Sequence, residues 1–126
     1  MAESFKILGQ AGNVSDSSFG TTLYTVPEKP NVKFAPRDTP QALVSSIVVC
    51  NRHATADGSY SIRVVPNGET PANKHIIFYT NVIQEKTTHV ISLGLGLQVG
   101  DKIQANATLS PATDTISMSA FGIEMV

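Results

Sequence analysis

The stretch Lys102-Ile103-Gln104-Ala105-Asn106-Ala107-Thr108-Leu109 alternates polar and apolar side chains without a break. In a strand, successive side chains point to opposite faces, so Ile103, Ala105, Ala107 and Leu109 share one face and Lys102, Gln104, Asn106 and Thr108 the other. A helix would scatter the same residues around its axis. The pattern predicts a strand in a sheet with one dry and one wet side.

Working outward, His89, Ile91, Leu93, Leu95, Leu97 and Val99 alternate with Val90, Ser92, Gly94, Gly96 and Gln98. Gly100-Asp101 separates this run from 102–109, which reads as a β-hairpin or arch. Segments 41–51 and 74–83 are apolar on both faces: Val44, Val48 and Cys50 against Leu43, Ile47 and Val49, then Ile77, Tyr79 and Ile83 against Ile76, Phe78 and Val82. Such strands are expected to be covered on both sides, by the fold or by a neighbouring subunit, which makes Ile76 and Phe78 candidate partner contacts.

Further strands are predicted at 5–9, 20–26 and 59–65, with breaks at Gly12-Asn13, Pro27, Asp57-Gly58 and Pro66-Asn67-Gly68. In the last segment Ile116, Met118 and Ala120 take one phase, and Phe121, Ile123 and Met125 the other. A bulge near Ala120-Phe121 would account for the slip. Apolar residues nowhere recur at helical spacing over three turns, so helix content should be close to nil. About eight strands with regular turn signals predict an all-β fold: a two-sheet antiparallel sandwich of jelly-roll or immunoglobulin-like type, built as one domain over 1–126.

Charged residues make up only 15% of the chain and net charge is −1 with the signs scattered, so nucleic acid and anionic membrane are not expected as partners. No segment approaches the roughly 18 apolar residues of a membrane span, and residues 1–6 lack the basic and apolar regions of a secretory leader, which predicts a soluble product made in the cytosol. The lone Cys50 lies in the apolar run Ile47-Val48-Val49-Cys50 and is expected to act as a small buried hydrophobe.

Chemistry is hard to find. His53, His75 and His89 lie far apart, with no i, i+4 or C-x-x-C neighbours, so no metal site is expected. No G-x-S-x-G elbow exposes a serine, and Gly94-x-Gly96-x-x-x-Gly100 has neither the spacing nor the following lysine of a phosphate loop. The acids are too dispersed to nominate a carboxylate pair, and the chain has no tryptophan for a sugar platform. No catalytic residue, cofactor or metal is predicted. One stretch stands apart: residues 28–40 place Glu28, Lys29, Lys33, Arg37 and Asp38 among Pro30, Pro36 and Pro40. This predicts a long, extended, slightly basic loop, and Phe34 at its centre with Val32, Lys33 and Arg37 makes it a candidate docking element.

Several phrases carry a likeness. Leu23-Tyr24-Thr25-Val26-Pro27, the run Ala42-Leu43-Val44-Ser45-Ser46-Ile47-Val48-Val49-Cys50-Asn51-Arg52, Tyr60-x-Ile62-Arg63-Val64-x-Pro66, Ala72-Asn73-Lys74-His75, Gly94-x-x-Leu97 with Asp101, and Ser119-Ala120-Phe121-Gly122-x-Glu124 span most of the chain from Leu23 to Glu124. The chain resembles a family of small virion proteins encoded by tailed phages, especially those of cyanobacterial and marine hosts. The resemblance implies an accessory structural protein of the virion, made in the host cytoplasm. It would be a symmetric oligomer in contact with its own copies and other virion structural proteins, as capsid decoration or as a component of neck, tail or baseplate. The family pattern follows Val-Pro with a short turn, whereas this chain inserts residues 28–40, which makes that insertion the place for a specialised contact. The alternative is a jelly-roll binding module that recognises a host glycan or receptor at loops on one end of the sandwich.

Overall fold

The computed structural model describes residues 3–14, 18–27, 42–109 and 116–125. Eight strands follow one another: β1 (Glu3–Ala11), β2 (Thr21–Thr25), β3 (Ala42–Asn51), β4 (Gly58–Val65), β5 (Ile76–Ile83), β6 (Thr87–Leu97), β7 (Lys102–Leu109) and β8 (Ile116–Met125). The single helical element among the described residues is a 3-10 turn, Asn73–His75, where the sequence pattern had predicted the start of a strand.

The strands form two four-stranded antiparallel sheets, ordered β1-β8-β3-β6 and β2-β7-β4-β5. The order resolves the topology. β4 pairs β5, β3 pairs β6, β2 pairs β7 and β1 pairs β8, as in one long hairpin folded about the β4 to β5 connection. Two further ladders, β3 with β8 and β4 with β7, roll that ribbon into facing sheets. This is a jelly roll, and the immunoglobulin-like alternative is set aside.

Between the sheets lies one apolar core. Ile103, Ala105 and Ala107 of β7 face Val44, Ile47 and Val49 of β3 and Ile116, Met118 and Ala120 of β8, all at most 5% exposed. The dry face read from 102–109 is therefore the core face, and β6 keeps its predicted phase too, with Ile91, Leu93 and Leu95 packed against the core.

Elsewhere bulges change the phase. An extra residue at Ser45, between the Val44 and Ser46 levels, returns Ile47 and Val49 to the core beside Val44 and turns Leu43, Val48 and Cys50 outward. Cys50 is accordingly half-exposed on the outer face, not buried as predicted. In β5 the register against β4 slips between Asn81 and Phe78, Thr80 adopts φ 51°, and Ile83 becomes core while Val82 faces water. The bulge predicted in β8 is not there: burial alternates evenly from Ile116 to Glu124. Its neighbours hold the irregularity instead, at Leu8 of β1 and Ser45 of β3. Gly122 sits at this level because a Cβ there would stand 2.0 Å from the Leu43 carbonyl oxygen.

Polar groups tie the ends. The Asp101 carboxylate accepts the Asn67 and Gln98 N–H groups at 2.9 Å each, its backbone carbonyl accepts the Val26 N–H at 3.0 Å, and the Gly100 N–H donates to the Val26 carbonyl at 3.0 Å. Gly100 beside it has φ 87° and would strike Asn67 with a Cβ, so only glycine fits that turn. At the opposite end the fully buried Asn51 donates to the Ala56 and Ile83 carbonyls at 3.0 and 3.2 Å and accepts the His53 N–H at 3.0 Å. A buried amide with its capacity filled this way fixes three segments without an orphaned dipole.

Candidate interaction surface

The outer faces of the two sheets differ in chemistry. Cross-strand partners share a face, so the register gives the surface row by row. On the β1-β8-β3-β6 sheet, Phe5 lies opposite Ile123, which lies opposite Leu43. In the next row Ile7 opposes Phe121, and further along Ser119 opposes Val48, which opposes Val90. Phe5, Ile7 and Val90 are 64, 53 and 67% exposed. The apolar ones form a strip of Phe5, Ile7, Leu43, Phe121 and Ile123 over β1, β8 and β3, with Val48 and Val90 paired beyond the row of Ser46 and Ser92; Phe121, Ile123 and Val48 are half-buried. Covering each large side chain would release about 1.5–3 kcal/mol, so the strip is a reservoir of unused binding energy.

The other outer face is polar over β2, β7 and β4, while its edge strand β5 exposes Ile77, Tyr79 and Val82, the last opposite Ser59. Thr22, Thr25, Lys102, Gln104, Asn106, Thr108, Ser59, Ser61 and Arg63 occupy its cross-strand positions. The Arg63 guanidinium lies 4.3 Å from the Phe19 ring centroid and donates from Nε to Gln104 Oε1 at 2.8 Å, while Ser61 Oγ accepts the Thr80 N–H at 2.8 Å.

Titratable side chains serve the fold. Glu124, 6% exposed, accepts the Tyr24 hydroxyl and pairs with Lys6 Nζ at 2.7 Å, which links the two sheets near the β1 and β2 edges. Burial, and then the hydrogen bond and charge of Glu124, push the Tyr24 hydroxyl well above its ordinary pKa. The histidines are structural. His53 Nδ1 accepts the Thr55 and Ala56 N–H groups, and His89 Nδ1 meets the Tyr60 hydroxyl at 3.0 Å between the sheets. His75 Nδ1 accepts the Ala72 N–H, which leaves its Nε2 hydrogen for Glu69 at 3.1 Å. His75 and Lys74 in turn hold the Glu69 carboxyl below its usual range. Among the described residues no group of three metal-ligating side chains converges, and no helix is long and apolar enough to cross a membrane.

Of the predicted contacts, Val32, Lys33, Phe34 and Arg37, with the whole 28–40 loop, lie outside the described residues. Ile76 and Phe78 are half-buried on β5, and Phe78 packs against the core; their neighbours Ile77, Tyr79 and Val82 are the exposed ones. Phe5 and Ile7 were not singled out from sequence. The signal available was Phe121 and Ile123 in the off phase of β8, which marks an apolar outer face once the bulge is removed from that strand.

The chain matches no protein-family model and no curated protein. Among solved structures it is similar to the coat protein dimer of tobacco streak virus, at 12% identity and TM-score 0.32 over 98% of this chain and 86% of that one. A second structure of the same coat protein gives 13% identity and TM-score 0.33 over 95% and 85%.

Proposed function

We propose that this protein is a non-catalytic structural component of a virus particle, an accessory protein of a tailed phage that attaches through the outer face of its β1-β8-β3-β6 sheet. The observation that carries this reading is the apolar strip through Phe5, Ile7, Leu43, Phe121 and Ile123, set on a fold whose histidines and buried carboxylate are engaged in holding it together. An exposed strip of that kind suits a permanent protein neighbour better than a small ligand. The jelly-roll order and the phage-like phrases of the sequence agree with it. Residues 28–40, with Val32, Lys33, Phe34 and Arg37, would supply a second contact with the particle, and the half-open Ile76 and Phe78 a third.

Quantitative mass spectrometry of purified particles tests the reading. Copy number near parity with the major capsid protein would mark a shell-decorating protein. A few copies per particle would place it in the neck, tail or baseplate. Absence from particles would sink the proposal and favour the receptor-binding alternative. Removal of residues 28–40 is expected to leave the domain folded and weaken attachment; a deletion variant that unfolds or that docks like the parent would remove the loop from this scheme.

A further inference from the structure

Two open sheets of four strands leave four edges, and an unprotected edge is a template for another strand. Three of the four are closed or blunted. β1 and β2 edge their sheets on the same side of the roll and meet there: a Cβ on Gly9 would stand 2.0 Å from the Leu23 carbonyl oxygen. β2 is only five residues long and bulged at Leu23. β5 slips register twice against β4, with Thr80 in left-handed backbone. β6 differs. Residues 87–92 run in unbroken register with residues 46–51 of β3, the strand's one register shift falling beyond them between Ser92 and Leu95, and the whole strand contains no charged residue and no proline.

We propose that β6 pairs edge to edge, antiparallel, with β6 of a second copy about a two-fold axis through Val90. An axis perpendicular to the sheet keeps both outer faces on one side, so it must pass where a residue meets itself. Centred on Val90, the outer face sets Val90 against Val90 and Thr88 against Ser92 twice, and the inner face sets His89 against Ile91. β-Branched and hydroxyl pairs of this kind are favourable across strands, and no like charges are opposed. A foreign strand would need a matching row of its own, whereas β6 supplies one for itself. The joined sheet would run β1-β8-β3-β6 and back through the second copy, with both apolar strips on one continuous surface. The pairing rests on the particle reading for its purpose but not for its geometry.

Sedimentation equilibrium of the full chain is expected to show a dimer. Val90→Lys, at a 67% exposed position, should raise its dissociation constant at least about tenfold while the melting temperature of the dilute, dissociated chain stays unchanged. In a Cys50→Ser background, Val90→Cys should form an intermolecular disulfide on mild oxidation, and Val82→Cys, 64% exposed on β5, should not. A chain that stays monomeric, an oligomer that survives Val90→Lys and does not link through Val90→Cys, or linkage through Val82→Cys instead would overturn the proposal. A Val90-linked dimer absent from particles would leave the pairing standing and sink the particle reading; an incorporated monomer would do the reverse.

Discussion

The two sheets enclose one core and present different outer faces. Over β2, β7 and β4 the outer face is a lattice of hydroxyls, amides and charges, such as Arg63 and Gln104, that water satisfies as it stands, and only the edge strand β5 adds exposed apolar side chains, Ile77, Tyr79 and Val82. The face of β1-β8-β3-β6 shows Phe5, Ile7, Leu43 and Val90. Both are equally compatible with a jelly roll, because the core needs only the inward half of each strand's alternation. The outward half is free to record what the protein meets. On the proposed reading, the face of β1-β8-β3-β6 is the one that meets a partner.

The sharpest way to break the contrast is to change each outer face in turn. Phe5→Ser with Ile7→Ser should weaken attachment to particles by about 4 kcal/mol, roughly a thousandfold, while Thr22→Glu with Thr108→Lys leaves it unchanged. Binding of purified variants to depleted particles measures both, and equal loss from the two faces would erase the distinction. Next in size is Gly122→Ala, whose Cβ would strike the Leu43 carbonyl beneath the apolar strip. Urea denaturation should show a loss of about 3 kcal/mol.

Tyr24→Phe removes a donor from the buried Glu124 and should cost about 2 kcal/mol in the same experiment. It also has a pH signature. The folded pKa of Tyr24 is raised, so the native state holds its proton longer than the unfolded chain. The associated stability is full below about pH 10 and declines as pH rises through the folded value, and the Phe variant should flatten that decline. Smallest is Arg63→Ala on the polar face, where loss of the half-buried contact with Phe19 should change stability by less than about 1 kcal/mol. A larger loss by thermal melting would show that the polar face is a structural element and not merely a wet one.

Strands whose apolar residues hold one phase throughout were readable, even where a ladder beside them shifts register. β7 and β6 kept the faces assigned from alternation because each apolar position continued the same phase to the strand end. β3 and β5 were not readable in this way, since an extra residue at Ser45 or near Thr80 exchanges the faces and neither serine nor threonine announces a bulge. In β8 the change of apolar phase was visible, but its cause was not. Phe121 and Ile123 mark an uncovered face, while the inner row continues through Gly122 and Glu124, residues that a search for apolar positions passes over. The same limit hid Phe5 and Ile7: a short strand with apolar residues on both faces carries no label for inside until its partner is known.

β1 lies against β8, with Glu3 opposite Met125. Of these eight strands, the earliest made therefore waits for the eighth before it has a neighbour in its sheet, a non-local closure of the kind that makes β-folds slow. The apolar strip inherits that schedule, because Phe5 and Ile7 come from the early strand and Phe121 and Ile123 from the late one. A chain stopped before β8 cannot display it. The apolar strip thus doubles as a mark that this domain has been translated through β8 and has closed its sheet.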